Sequence, residues 1–269
     1  MGIDTHIADY DWNAALAALA WQAELGVTDV IAEAPVDRYA LPERQEPVLA
    51  KAKPAAPVLH EVAKPDVVQA AVDAATACAD LAALRAALGA FDHCELKKGA
   101  RDLVFGDGNP QAALMIIGDA PGREEVVAGK PFVAAAGLLL DKMLAAISFA
   151  RGHEDGAKAA YVTNVLPWRP PGDRAATEDE IAMMRPFLTR HIALVKPRVV
   201  IAMGNTACAA LLGQTGVTRL RGTWAKADGI TVMPMTHPAD LLRNPAAKRE
   251  AWADLLAIQD RLAQARSAE

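Results

Sequence analysis

Four short apolar runs, separated by longer stretches with helical periodicity, constrain the fold of this chain most strongly. Aliphatic strands that alternate with helices are typical of a parallel sheet covered by helices on both faces. We therefore expect an α/β fold, namely a three-layer αβα sandwich with a central, mostly parallel four-stranded sheet. The strands are predicted at 113–117, 161–165, 199–203 and 230–235, and the helices at 134–147, 177–195, 205–212 and 245–265.

The chain before residue 76 lacks this alternation. Residues 11–25 place Trp12, Leu16 and Leu19 on one helical face, which predicts a helix that either docks on the domain or acts as a tether. The following stretch is rich in Pro, Ala and charged residues and has no apolar period, as is typical of a flexible linker. The predicted organisation is a helical N-terminal extension (1–40), a Pro/Ala-rich linker (41–75) and one globular domain (76–269), which opens with a helix at about 76–88.

Charge and cysteine usage narrow the class of protein. Residues 1–90 carry 13 acidic and 6 basic residues, whereas residues 91–269 carry 20 acidic and 22 basic residues. The net charge of −5 therefore comes from the N-terminal part, and the remainder does not oppose binding to nucleic acid. Three widely spaced cysteines indicate a reducing, cytoplasmic environment rather than a disulfide framework. The uncharged stretch 199–218 contains three glycines and favours a strand, turn and helix over a membrane span.

An unusual polar segment follows each apolar run: GDAPG, TNVLPWRPPGDR, GN and THPADLLRNP. Because ligands of parallel sheets gather at the C-terminal ends of the strands, these segments are expected to lie close together. Each also has a structural interpretation when it is taken alone. Asp119 could cap a helix and Asn164 could hold a loop, while Phe132 could be core and His237 a structural hydrogen-bonding group. GDAPG lacks the lysine of a phosphate loop, so a phosphate cradle is not expected.

In their order and spacing, several segments resemble the family-4 branch of the uracil-DNA glycosylase superfamily. These segments are VFGDGNP, GDAPGREE with GKPFV and AGLLLDKML, YVTNVLPWRPPGDR, and THPADLLRNPAAKR. The resemblance covers about residues 91–262. It implies a base-excision DNA repair enzyme that flips uracil out of single- or double-stranded DNA and hydrolyses its N-glycosidic bond, leaving an abasic site. A monomeric, nucleoid-associated protein is expected.

The resemblance also implies roles for individual residues in recognising the base. Phe132 matches the ring that stacks on the flipped base, and Asn164 matches the amide that reads its Watson–Crick edge. His237 matches the histidine that hydrogen-bonds a uracil carbonyl as negative charge develops there. The remaining residues of the expected base pocket are Gly118, Ala120 and Glu125, the last at an edge where it could crowd the C5-methyl group of thymine.

Asp119 and the DNA-contacting residues complete the implied site. The usual family motif is GEAPG, so Asp119 is one methylene shorter than the usual glutamate. It could orient the attacking water or stabilise the positively charged sugar. Leu241 or Leu242 is expected to fill the vacated base stack, and the sequence does not distinguish between them. Arg243 and Arg169 are expected to contact DNA.

The expected cofactor content departs from the family pattern. Typical members hold a [4Fe–4S] cluster with four cysteines, and those positions fall here on Phe91, Cys94, Trp168 and Met184. Because only Cys94 could supply a thiolate, the sequence predicts no cluster, with the other three side chains forming an apolar plug. The cysteine spacing also excludes a CxxC zinc site, so no metal is expected.

Two alternatives stay open. A catalytically weak or covalent uracil-DNA binding protein could use the same fold, although the basic loop insertion linked to covalent capture is missing from MTHPADLLR. A small-molecule hydrolase or nucleotide-binding domain would need a nucleophile–base pair or a phosphate loop, and neither is visible. The sequence does not distinguish U:G, U:A and single-stranded uracil as preferred substrates, nor does it settle activity on hypoxanthine.

Overall fold

The structure is a computed structural model that describes residues 16–17, 20–22, 24–25, 66–100 and 102–267. The chain divides into two compact units, Met1–His60 and Glu61–Glu269. In the first unit, the described residues 16, 17, 20–22 and 24 are helical, as predicted for 11–25. Trp12, Leu19 and the predicted linker up to residue 65 lie outside the described residues.

A single mixed sheet forms the centre of the second unit. Its strands are β1 (Asp107–Gly108), β2 (Leu114–Gly118), β3 (Ala160–Asn164), β4 (Val199–Met203), β5 (Ala225–Ala227) and β6 (Ile230–Met235). Within the described part of the chain, these six strands are arranged in the order β1-β3-β2-β4-β6-β5. The four inner strands are parallel, whereas β1 and β5 pair antiparallel with β3 and β6.

The predicted α/β class is confirmed, but the predicted number of four strands is wrong. The four inner strands coincide with the predicted apolar runs to within one residue. The two additional strands lie at the sheet edges and have the sequences DG and AKA. Such short, partly exposed segments carry no apolar run, so hydrophobic periodicity does not reveal them.

Helices connect and flank the strands. They are α1 (Val67–Thr76), α2 (Leu81–Ala90), α3 (Glu95–Lys98), α4 (Arg123–Ala128), α5 (Ala134–Ala146), α6 (Glu178–Val195), α7 (Asn205–Leu212), α8 (Val217–Leu220), α9 (Pro238–Arg243) and α10 (Lys248–Ser267). Short 3₁₀ turns occur at Gly156–Lys158, Pro171–Asp173 and Pro245–Ala247. Among the described residues, no helix combines the length and the apolar character needed to cross a membrane.

Helix α1 lies inside the stretch that the sequence predicts to be linker. The Asp66 carboxylate caps it by accepting hydrogen bonds from the backbone N–H groups of Val68 and Gln69, both at 3.1 Å. Its buried residues are Ala71 and Ala75. Because alanine is frequent throughout this stretch, the sequence pattern does not distinguish the buried face of the helix. The linker prediction is therefore wrong for its last residues, 67–75. The division of the chain into extension, linker and domain otherwise stays a prediction.

Alternate residues of the inner strands pack into two separate hydrophobic cores, one on each face of the sheet. Met115 and Ile117 of β2 belong to one core, together with residues of α1, α2, α6 and α7. Leu114 and Ile116 belong to the other core, together with residues of α5, α9 and α10. Because a strand presents successive side chains to opposite faces, both faces of the sheet are covered. The result is the predicted three-layer arrangement.

A buried ion pair fixes α10 to the segment that follows α8. Arg221 donates to Asp254 through Nη2 at 2.6 Å and through Nε at 3.0 Å. Asp254 is only 2% exposed, and its burial raises its pKa while Arg221 acts in the opposite direction. A buried carboxylate needs such a partner because desolvation penalises an isolated charge.

We predict that Asp254→Ala lowers the free energy of unfolding by about 3 kcal/mol, because it leaves the Arg221 guanidinium without its principal partner. Urea or guanidinium denaturation, monitored by circular dichroism, measures the change. The control is Glu95→Ala, which removes an exposed partner of Lys98 and is expected to change stability little. Equal stability of the two variants would contradict the assignment.

Candidate active site

The predicted site residues gather at the C-terminal edge of the inner strands. Gly118 and Asn164 are the last residues of β2 and β3, and they are aligned with each other in the parallel register. Asp119 follows β2 directly, and His237 lies two residues beyond the end of β6. Phe132 comes from the loop between α4 and α5. The topology therefore brings together residues that are distant in sequence.

Gly118 is the point on which the ring and the amide converge. A Cβ atom placed on this glycine would lie 2.5 Å from Asn164 Oδ1 and 2.7 Å from Phe132 Cζ. Neither distance is compatible with a side chain, so only glycine fits between the two groups. Its neighbour Ala120 is partly buried and packs against the core formed with α1 and α2.

Asn164 carries an unsatisfied donor. The residue is 7% exposed, and its Nδ2 has no hydrogen-bond partner among the described residues. A buried amide N–H without a partner is destabilising, by about 1–3 kcal/mol. Such a group is expected where a ligand supplies the missing acceptor.

His237 lies against Phe132. The two ring centroids are 5.2 Å apart with an interplanar angle of 26°, so the rings are stacked. His237 Nδ1 accepts a hydrogen bond from the Ala239 N–H at 3.2 Å, which leaves the proton of the neutral ring on Nε2. Burial lowers the pKa of His237 to about 4. The residue is therefore a neutral N–H donor at physiological pH.

Asp119 occupies the N-terminus of α7. Its Oδ1 accepts a hydrogen bond from the Ala207 N–H at 2.9 Å. Burial raises the pKa of Asp119 to about 6, an effect opposed by the N–H groups at the start of α7. The carboxylate thus caps a helix that lies far along the chain rather than the helix that follows it, and it is mainly ionised at neutral pH.

Gly204 is a further site residue that the sequence interpretation did not assign. It has a φ of +110°, and a Cβ atom there would lie 2.3 Å from Asp119 Oδ2. The glycine therefore lets the short aspartate reach the start of α7. The sequence did mark this position, because the polar segment GN ends β4. It did not indicate that Asp119 would be the contact of this segment.

Glu125 contacts backbone rather than open space. Its two carboxylate oxygens accept hydrogen bonds from the Gly122 N–H and the Phe132 N–H. Burial raises its pKa, and these backbone donors act against that effect. Glu125 therefore shapes the loop that carries Phe132. Its suggested role in crowding a thymine methyl group stays a prediction.

The two leucines of α9 have different environments. Leu241 is 1% exposed and belongs to the core formed with α5 and α10, whereas Leu242 is 43% exposed. Leu242 is consequently the one available to a partner. Arg243 pairs with Asp240, and Arg169 forms two 2.6 Å contacts with Asp173. DNA contacts by these residues stay predictions.

Comparison with known proteins identifies the family of this chain. Residues 105–256 match the model of the uracil DNA glycosylase superfamily. This chain belongs to that superfamily. The predicted family-4-like membership is also confirmed, since several curated relatives are named Type-4 uracil-DNA glycosylases.

Three relatives show the extent of the similarity. The protein from Archaeoglobus fulgidus is 35% identical over 61% of this chain and 84% of its own length. That from Saccharolobus solfataricus is 34% identical over 63% of this chain and 80% of its own length. That from Thermotoga maritima is 35% identical over 56% of this chain and 77% of its own length. They agree with the predicted enzyme class, and membership of the superfamily agrees with DNA as the binding partner.

The prediction of no cofactor is contradicted by this membership, because Type-4 enzymes are the branch whose members hold a [4Fe–4S] cluster. The four matched positions, Phe91, Cys94, Trp168 and Met184, lie in one buried core. Among these four positions only Cys94 supplies a thiol, and burial raises its pKa. In the described part of the chain, no group of three or more His, Cys, Asp or Glu could hold a metal ion. These donors do not fit four-thiolate ligation, so no catalytic step is assigned to a cluster.

We predict that the imidazole of His237 stays neutral between pH 5 and 8, because its pKa is lowered to about 4 by burial. A pH titration of the ring carbons by NMR measures this value, and His237→Gln identifies the resonance. A His237 midpoint above about 6 would contradict the buried, neutral state.

Proposed function

We propose that this chain extrudes uracil from DNA and hydrolyses its N-glycosidic bond, leaving an abasic site. The observation that carries the proposal is that Asn164, whose buried Nδ2 has no partner, meets the Phe132 ring at Gly118, and that this ring stacks on the neutral His237. An apolar ring, a donor–acceptor amide and a neutral N–H donor are the groups needed to hold a pyrimidine base. Membership of the uracil-DNA glycosylase superfamily supports the same activity.

Base discrimination follows from the amide of Asn164. Its Nδ2 can donate to the O4 carbonyl of uracil, and its Oδ1 can accept from the N3–H group. Cytosine presents an amino donor in place of O4, so the same amide would place a donor against a donor. The penalty of leaving buried polar groups unpaired then separates the two bases.

The chemistry requires stabilisation of opposite charges on the two sides of one bond. As the bond between N1 of uracil and C1′ of the sugar breaks, the base takes the electron pair. His237 Nε2–H donates a hydrogen bond to the uracil carbonyl on which this charge develops. The Asp119 carboxylate stabilises the positive sugar and accepts the proton of the water that adds to C1′.

Access to the base requires its extrusion from the stack, which costs roughly a few kcal/mol. We propose that exposed Leu242 fills the vacated position and that Arg243 exchanges Asp240 for a phosphate. The proposed groups all come from one chain, so we propose that a monomer acts on single- or double-stranded DNA.

The direct test uses oligonucleotides with one uracil, single-stranded or paired with G or A, followed by alkaline cleavage of abasic sites. Strand breaks at the uracil position, and none at cytosine or thymine, are expected. Asn164→Ala should remove most of the activity because the base edge is no longer read. A denaturant-resistant protein–DNA band without strand breaks would instead indicate covalent capture, and intact, unshifted DNA would contradict the proposed hydrolysis.

The pKa of Asp119, about 6, gives a second prediction. Because the ionised carboxylate is the active form, the single-turnover rate should be constant above pH 7 and fall as pH drops below about 6. Asp119→Asn should lose at least about a hundredfold in rate and lose this dependence. Its affinity for DNA, measured by fluorescence anisotropy, should change little.

Asp240→Asn provides the matched control for this pH profile. Asp240 is a negative charge that raises the pKa of Asp119, so its removal should move the acidic limb to lower pH. Circular dichroism at each pH separates this shift from unfolding. A limb that stays in place in both variants would show that another group controls the rate.

A further inference from the structure

The backbone at Phe132 adopts an unusual conformation. Its φ is +52°, in the left-handed region that residues other than glycine rarely occupy. Ala134 has the same φ of +52° two residues later. Such a conformation persists only where the surrounding structure holds it, and residues in it cluster at functional sites. The question is which groups hold the loop in place.

Arg151, from the segment between α5 and β3, binds the carbonyl side of this loop. Its Nη2 donates to the Phe132 carbonyl at 2.7 Å, and its Nη1 donates to the Pro131 carbonyl at 3.1 Å. A longer contact of 3.4 Å joins Nη2 to the carbonyl of Gly137 in α5. One planar guanidinium therefore ties two successive carbonyls of the loop to the following helix.

The guanidinium of Arg151 is itself fixed. Its Nε donates to Asp141 at 2.7 Å, and its Nη1 lies 3.5 Å from Asp107. The side chain is 12% exposed, so its charge is balanced by carboxylates inside the protein. A group with its donors committed in this way is suited to holding a shape rather than to recruiting a phosphate.

The other side of the Phe132 backbone is held as well. The Phe132 N–H donates to Glu125, so both the N–H and the carbonyl of this residue are anchored by charged side chains. Helix α5 approaches the same carbonyl closely: a Cβ atom on Gly137 would lie 1.9 Å from Phe132 O. The ring direction is thus set by its backbone, independently of any base.

We infer that Arg151 is a positioning residue for base binding: it locks the backbone of Phe132 so that the ring faces Gly118 and Asn164 before a base arrives. The inference rests on the proposed function, in which that ring stacks on uracil. Preorganisation of this kind avoids the loss of freedom that a mobile ring would suffer on binding. The sequence gives no signal for it, since Arg151 belongs to none of the segments that carry the resemblance.

A double-mutant cycle tests whether Arg151 acts through Phe132. Values of kcat/KM for uracil excision are measured for wild type, Arg151→Met, Phe132→Ala and the double variant. Phe132→Ala is expected to lose about tenfold to a hundredfold through lost stacking. Arg151→Met should lose roughly tenfold or more through misplacement of the ring. The double variant should be no worse than Phe132→Ala alone, whereas multiplied losses would overturn the inference.

Two further variants separate geometry from charge. Arg151→Lys keeps the positive charge but cannot donate to two carbonyls through a planar fork, so it should resemble Arg151→Met. Lys142→Met removes an exposed positive charge from the same helix that carries Asp141 and should match the wild type. Full rescue by lysine would overturn the positioning role.

Hydrogen exchange of the Phe132 amide measures how firmly Arg151 holds this loop and does not depend on activity. Protection in the wild type and faster exchange in Arg151→Met and Arg151→Lys are expected, while amides in β4 should stay unchanged. Unchanged protection of Phe132 would overturn the inference. A wild-type protein that is folded and protected at Phe132 but inactive on uracil would refute the proposed function instead.

Discussion

The close approach of β2 and β3 at Gly118 is the constraint on which the rest of the site depends. Parallel pairing aligns Gly118 with Asn164, and the missing side chain leaves space that the Asn164 amide and the Phe132 ring share. If β2 ended in any larger residue, those two groups would be forced apart. The sheet itself therefore positions the Asn164 amide and lets the Phe132 ring, which its own loop holds, approach that amide closely.

Burial at this edge of the sheet shifts the pKa values of His237 and Asp119 in opposite directions. Burial keeps the imidazole of His237 neutral, and it also makes Asp119 a weaker acid. The N–H groups of α7 prevent the second effect from neutralising Asp119 at physiological pH. Under the proposed function, this edge of the sheet supplies both a neutral donor and an anion, as required when a bond separates into a negative base and a positive sugar.

Much of the framework could be predicted, because buried parallel strands leave continuous apolar runs and each run was followed by a polar segment. Four features could not be predicted. The edge strands β1 and β5 are too short to carry a pattern, and α1 buries only alanines. The contact between Asp119 and Ala207 joins residues far apart in the chain, and Arg151 acts on backbone carbonyls that have no sequence signature. The prediction that no cofactor is present was wrong for another reason. It considered only which ligand residues are present, whereas membership of the Type-4 branch implies a [4Fe–4S] cluster.

The neighbouring leucines of α9 have an implication for how this segment can evolve. Successive residues of a helix point about 100° apart, so a core-facing Leu241 and an outward-facing Leu242 are set by one register. A single insertion or deletion between His237 and Leu242 would rotate both at once, leaving a hole in the interior and turning the outward-facing leucine away from solvent. The length of this segment is thus constrained more tightly than its composition.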